Sequence, residues 1–227
     1  MSTSELLERL QSEVDQHLLE ARQMTNEDNV EQLERKLQDL MDRTAALEQR
    51  DRKLQYLMDR AAILDCVARH ARGCDRFDSE LLGSAYHDDG VDEHGFAINP
   101  GPKYAEWANA QHSRGSLQNM HNITTHSCEI DGDVAHAESY VIGLFLNADG
   151  KTARLLAGRY ADRLERRNGE WRIVLRRSTV DVAMAGDASF LSLSYFVDMG
   201  FVKGMRDKRD VSYQRPLALD ETLADRW

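Results

Sequence analysis

At 227 residues the chain has room for one domain of ordinary size plus an extension. Charged residues make up 30% and the formal net charge is −10, which argues against a nucleic-acid partner because phosphates need a basic face. No run approaches the ~20 apolar residues of a membrane span and no signal-peptide pattern opens the chain. The cysteines, Cys66, Cys74 and Cys128, are odd in number and lack metal-ligand spacing. They read as reduced, packed thiols, so a cytoplasmic protein is expected.

Residues 1–54 read as a helical, coiled-coil-like extension. Val30, Leu33, Leu37, Leu40, Thr44, Leu47, Asp51, Leu54 and Met58 follow alternating steps of three and four. That spacing makes a seam about 40 Å long. Leu7, Leu10, Val14, Ala21 and Met24 make an earlier seam, with His17 as a polar interruption. Between the two, Thr25-Asn26-Glu27-Asp28-Asn29 breaks the phase and offers N-cap side chains, which predicts a helical hairpin, with one long kinked helix as the alternative. Arg35-Lys36-Leu37-Gln38-Asp39-Leu40-Met41-Asp42-Arg43 recurs 17 residues later as Arg52-Lys53-Leu54-Gln55-Tyr56-Leu57-Met58-Asp59-Arg60. Two units do not make a solenoid, so this is read as a local duplication that lengthened a helix. Self-association or packing is the expected use of the segment, and partner recruitment the second.

A domain is expected over residues 55–182. Ile63, Val67, His70 and Cys74 take helical steps of four, three and four, which puts His70 on the apolar side of the first domain helix. A second helix is predicted over 79–86. An acidic loop follows from Tyr86 to Gly95, and then a third helix over 101–115 carrying Tyr104, Trp107, Ala108 and Ala110. Strands are predicted at 122–130, 134–147, 152–166 and 170–182. The turns between them, Asp131-Gly132-Asp133, Asn147-Ala148-Asp149-Gly150 and Asn168-Gly169, are strong hairpin signals. Three helices followed by a strand meander define an α+β class, a curved antiparallel sheet wrapped on helices as an open cone. The tail, residues 183–227, is partly apolar and is expected to close the pocket.

Two residues carry most of the chemical information. Asp75 ends an apolar helix in Gly73-Cys74-Asp75-Arg76, where a carboxylate meets the unfavourable negative end of the helix dipole. His121 opens a predicted strand in Met120-His121-Asn122-Ile123. A carboxylate behind an imidazole makes a general base, because it sets the tautomer and stabilises the imidazolium. Spacing does not show that they meet. On residues alone, His121 reads first as a satisfied, half-buried histidine in a strand, and as a base second. The His87–His94 stretch holds two histidines and four carboxylates but no recognised zinc or calcium spacing, so no metal is expected. No phosphate loop, nucleophile elbow or redox cysteine pair is present.

The element order, with Arg60-Ala61-Ala62-Ile63 leading to Gly73-Cys74-Asp75 and the hairpin from Gly158-Arg159-Tyr160 to Asn168-Gly169-Glu170-Trp171, resembles the SnoaL-like branch of the nuclear transport factor 2-like superfamily. Its lyases include the hexachlorocyclohexane dehydrochlorinase and bile acid 7α-dehydratase types. The resemblance implies that Asp75 and His121 form the catalytic dyad and that Arg176 faces the pocket, where it would stabilise a leaving group or an enolate-like oxyanion; a solvated surface arginine is the alternative. Strand alternation sets Arg172, Val174 and Arg176 on one face, opposite Trp171, Ile173, Leu175 and Arg177. His70 stands where relatives carry lysine or tyrosine, which leaves open whether it donates a proton, binds an oxygen or packs. Tyr86, Trp107 and Tyr140 are the expected substrate contacts. The implied function is a cofactor-independent lyase that eliminates water, halide or formaldehyde from a small apolar molecule, either aromatic (a lignin-derived diaryl compound) or steroid-like. A noncatalytic binding or oligomerisation module and an isomerase with the same base are the alternatives. A homo-oligomer is expected, and the resemblance makes it a trimer.

Overall fold

The computed structural model describes residues 3–21, 27–219 and 225–227. The chain divides into two compact units, residues 1–57 and 58–227. In the first, α1 (Thr3–Ala21) lies against the opening part of α2 (Glu27–Asp75). Arg43 pairs with Glu13 at 3.2 Å and Lys36 with Glu20 at 3.5 Å, so the two helices run antiparallel as a hairpin. Leu10 is buried, whereas Leu7, Val30, Leu37 and Leu54 are more than half exposed, so the apolar seam stays largely uncovered. The expected seam position Met24 and the phase break at Thr25 and Asn26 lie outside the described residues.

In the second unit α2 continues to Asp75 and is followed by α3 (Ser79–Gly83), β1 (Tyr86–His94), β2 (Ala97–Pro100), a short 3-10 turn and α4 (Tyr104–Gly115). The long strands are β3 (Ser116–Asp131), β4 (Val134–Asn147), β5 (Thr152–Arg167) and β6 (Glu170–Ser178), with β7 (Val182–Asp187) and the one-turn helix α5 (Ser194–Val197) in the tail. The sheet order is β2-β1-β6-β5-β4-β3, with β7 pairing to β5. It is a curved, unclosed sheet in an α+β domain. The helices fill its concave side. Ile63 and Cys66 of α2, Leu82 of α3, and Tyr104, Ala105 and Ala108 of α4 pack on Ala135, Ala137, Leu164, Trp171 and Ile173. The buried carboxylate of Asp59 accepts from Trp171 Nε1 (2.9 Å) and Arg166 Nη1 (2.9 Å), which ties α2 to the far hairpin.

Four local expectations need correction. Residues 86–94 are a strand rather than an acidic loop, and β1 lies parallel to β6, the exception in an otherwise antiparallel sheet. Tyr86 and Asp92 point into the core, while Asp89 and Glu93 face out to Arg167 and Arg177, so alternation hid beneath the charge. The second helix ends at Gly83 rather than at 86. His121 lies within β3, five positions after its start at Ser116, rather than opening it. In β6, Ile173 pairs with Leu164 and Leu175 with Arg163, so Val174 is an extra, bulged residue. The bulge resets the alternation. Arg176 therefore shares the buried side with Trp171 and Ile173, and Arg172 does not share its face.

After Ser178 the chain crosses directly over β5 on its way to β7. A Cβ on Gly158 would lie 2.0 Å from the Thr179 carbonyl oxygen, so only glycine permits the crossing. Thr179 donates to Arg159 O and Asp181 to Ala157 O, both at 2.8 Å, which pins the crossing in place.

Candidate active site

Asp75, the last residue of α2, is 8% exposed and would be destabilised there by the helix dipole and by burial. Four contacts from three donors offset that cost. The His121 backbone N–H reaches Oδ2 at 2.9 Å and Oδ1 at 3.1 Å, Asn119 Nδ2 reaches Oδ1 at 3.0 Å, and His121 Nδ1 lies 2.7 Å from Oδ1. In all, three hydrogen-bonding groups of two β3 residues, 119 and 121, converge on one carboxylate, and β3 alternation is what puts both on the same face. An ionised carboxylate only accepts, so the proton of the neutral imidazole sits on Nδ1 and the Nε2 lone pair is left free. Nε2 has no hydrogen-bond partner among the described residues.

The His121 ring lines a narrow cavity of about 60 Å³ with His94, Val141, Phe145, Tyr160 and Ser178, roofed by the Thr179–Val180 crossing. His94 lines the same cavity from β1. Its Nδ1 lies 3.0 Å from Tyr104 Oη, 3.0 Å from Ser178 Oγ and 3.4 Å from Asp92 Oδ1. Asp92 is wholly buried, and its other oxygen accepts from Tyr86 Oη at 2.5 Å. His94 thus faces the cavity that His121 faces, with the buried Asp92 carboxylate beside it, whose Oδ1 makes no hydrogen bond among the described residues. A third histidine, His112 in the last turn of α4, has its ring 5.5 Å from that of His121. Burial, and then the neighbouring His121, push its pKa down to about 4, so it stays neutral at ordinary pH.

The other expected residues fall in different places. His70 is fully buried among the rings of Tyr86, Tyr104 and Tyr160. Its Nδ1 meets Tyr86 Oη at 3.1 Å and its Nε2 meets Cys74 Sγ at 3.8 Å. Burial, followed by the charge of Arg176, holds its pKa well below the ordinary value. It is a neutral hub behind the cavity. Burial and Asp92 raise the Tyr86 pKa well above its usual range, so that side chain is a donor to Asp92 rather than a substrate contact. Arg176 is fully buried, bidentate to Asp162 at 2.7 and 2.8 Å, with its guanidinium 4.0 Å over the Tyr160 ring. It faces inward but stands behind Tyr160, which forms the cavity wall. Trp107 is partly buried, with its ring tilted against that of His94 at 5.8 Å. Tyr140 is 46% exposed on the outer face of β4, where odd-numbered residues point in and even-numbered ones out, so the fold does not bring it to the site.

His94 and His112 are the residues that sequence reasoning missed as site components. The signal for His94 was the two-residue step from Asp92, legible only once 86–94 is read as a strand. His87 and His94 are both held by protein groups, His87 Nε2 meeting Glu165 O at 2.9 Å. Among the described residues no group of three His, Cys, Asp or Glu side chains is arranged to hold a metal. Nor is any helix long and apolar enough to cross a membrane.

A curved sheet folded over three helices, with an Asp–His pair at its inner end, defines a protein of the nuclear transport factor 2-like class. Residues 55–177 match the SnoaL-like domain, more than half of the chain, and the protein belongs to that family. Among solved structures, a Mycobacterium tuberculosis protein of unknown function is 29% identical, covering 56% of this chain and 74% of that one at a TM-score of 0.50. The hexachlorocyclohexane dehydrochlorinase LinA-type3 of Novosphingobium barchaimii is 25% identical over 59% of this chain and 94% of its own, with a TM-score of 0.55. A LinA structure is likewise 25% identical, over 58% and 92% of the two chains, with a TM-score of 0.55. No curated protein matches the chain.

Proposed function

We propose that the protein is a cofactor-independent lyase in which His121, oriented by Asp75, is the general base. The observation that carries this reading is the 2.7 Å contact between His121 Nδ1 and Asp75 Oδ1, with Nε2 left free on a ring that lines the cavity. Nε2 takes a proton from the substrate, the electrons of that bond form the new double bond, and the leaving fragment departs with its own bonding pair. The imidazolium then returns its proton to water or to the departing group. Loss of halide or water follows this course. For formaldehyde the proton comes from a hydroxymethyl oxygen, whose O–H electrons form the C=O bond; the C–C pair becomes the new C=C bond, and the hydroxyl on the far carbon leaves as water with the imidazolium's proton. A positioned base contributes about 10²–10⁴-fold, so water exclusion and alignment supply the remainder.

The cavity walls, Val141, Phe145, Leu156, Ala157 and Val180, favour an apolar substrate. The substrate class we propose is aromatic, a lignin-derived diaryl compound, with a steroid-like molecule second. At about 60 Å³ the space admits the reacting centre rather than a whole substrate of that size, so the bulk of the molecule lies toward the mouth. His94, on β1, is placed to meet the departing group. The same pair of imidazoles supports an isomerase as the second reading, since one ring removes a proton and the other returns it.

The test is a panel of hexachlorocyclohexane with chloride detection, a diarylpropane diol with formaldehyde detection, and a hydroxysteroid with mass detection of water loss. The wild type releases one fragment, and His121→Ala and Asp75→Asn each lose at least about 10²-fold while staying folded. Release unaffected by His121→Ala would overturn the base assignment.

We also propose a homotrimer that covers the outer sheet face. Met120, Tyr140, Leu144 and Met184 are each at least 40% exposed there, a patch that a lone domain in water would not favour.

A further inference from the structure

Residues 203–214 lie beyond the matched SnoaL-like domain, yet they grip the segment that carries Asp75. Arg76 Nε lies 3.2 Å from Asp210 Oδ1, and Lys208 pairs with Asp78. Asp210 is 2% exposed and accepts from its own Met205 N–H (2.8 Å) and Ser212 N–H (2.9 Å), so the strap is internally braced where it holds Arg76. The turn it grips is strained, since Phe77 has φ +49°, a region non-glycine residues seldom occupy. That strain persists only if the surroundings over-determine it. The Arg206 guanidinium lies 4.5 Å over the Phe77 ring, and His112 stacks on the ring at 6.5 Å.

Arg206 also touches the hydrogen-bond network of the dyad. Its Nη1 lies 3.3 Å from the His112 carbonyl and 3.5 Å from Asn119 Oδ1. Asn119 Nδ2 in turn donates to Asp75 Oδ1 at 3.0 Å and to Cys74 O at 3.2 Å. A guanidinium only donates and a carboxylate only accepts, so the pair leaves Asn119 a single amide orientation. With the amide set, Asp75 keeps the oxygen that His121 Nδ1 needs.

We propose that Arg206 is a positioning residue for the dyad, acting through Asn119 and the Phe77 turn, and that the 203–214 strap belongs to the active site. The proposal rests on His121 being the base, but its structural half is testable without a substrate. In full-length protein, the hydrogen-bonded Nδ1 proton of His121 gives a low-field proton resonance, assigned by its loss in His121→Ala. Arg206→Ala broadens or loses that resonance, with native near-ultraviolet circular dichroism retained, and Arg206→Lys restores part of it. Asn119→Leu produces the same loss, and the double variant Asn119→Leu/Arg206→Ala is no worse than either single one, because the two act in one chain of contacts. With whichever panel substrate the wild type turns over, Arg206→Ala lowers kcat about 10–100-fold and leaves KM within about threefold. An unchanged resonance and unchanged kcat in Arg206→Ala would overturn the proposal. If Arg206→Ala does not fold, Arg206→Lys decides, an altered signature supporting the strap and a wild-type signature overturning it. Should no panel substrate react even with wild type, the lyase reading fails and the resonance still judges the strap.

Discussion

His112 offers a test of the site's electrostatics through stability rather than turnover. Its folded pKa is about 4, against 6.5 for an ordinary histidine. Between those values the unfolded chain binds a proton that the folded one refuses, so stability falls as the solution is acidified through that window. The contribution is fully present above about pH 6.5 and is lost progressively down to pH 4. The gap of 2.5 units corresponds to a ceiling of about 3.4 kcal/mol, and the share lost between pH 7 and pH 5 is about 2 kcal/mol. His70 acts with the same sign, because burial and then Arg176 hold its pKa well below the ordinary value. The perturbation is His112→Phe, which keeps a ring between Phe77 and Phe145 but removes the titration. Urea unfolding of wild type and variant at pH 7 and pH 5, followed by tryptophan emission, reads the difference. The wild type is expected to lose about 2 kcal/mol more than the variant on acidification. Equal losses in the two proteins would refute the claim that His112 is held neutral in the fold.

Other outcomes follow from buried groups and from the uncovered faces. Arg176→Met strands the Asp162 carboxylate, which is 4% exposed, and is expected to cost about 3–5 kcal/mol, read as a lowered melting temperature. Replacing both partners with apolar residues should recover much of that loss. Burial pushes the Cys66 pKa up to about 11 and that of Cys74 higher still, so a thiol reagent at pH 8 should leave both unmodified until the chain is unfolded. Deleting residues 1–50 should weaken assembly or solubility more than dyad chemistry. Full-length protein that scatters light as a monomer at micromolar concentration would refute the proposed trimer.

Much of the architecture was legible in the sequence because it is written in local terms. The heptad-like spacing from Val30 to Met58 predicts a long helix, and Asp131-Gly132-Asp133 and Asn168-Gly169 predict tight turns, with no knowledge of what lies across them. The turn glycines Gly132 and Gly169 indeed sit at φ +57° and +83°. The α+β class follows from the order of such segments. The pairing of Asp75 with His121 does not, since 46 residues separate them, and only the family resemblance brought them together.

What the tertiary structure decided is everything that depends on two distant segments competing for one space. Tyr86–His94 carries six acidic or histidine side chains that mimic a solvated loop, and only its parallel pairing with β6 puts Asp92 and His94 inward. A single bulged residue, Val174, turns Arg176 onto the buried side with Ile173, where Asp162 captures it and Tyr160 screens it from the cavity. Tyr140 is lost to the outer face by the same two-residue alternation that delivers Val141 to the cavity. Periodicity says that a side chain will be buried. Which partner meets it there is set by register, and register is a property of the assembled sheet.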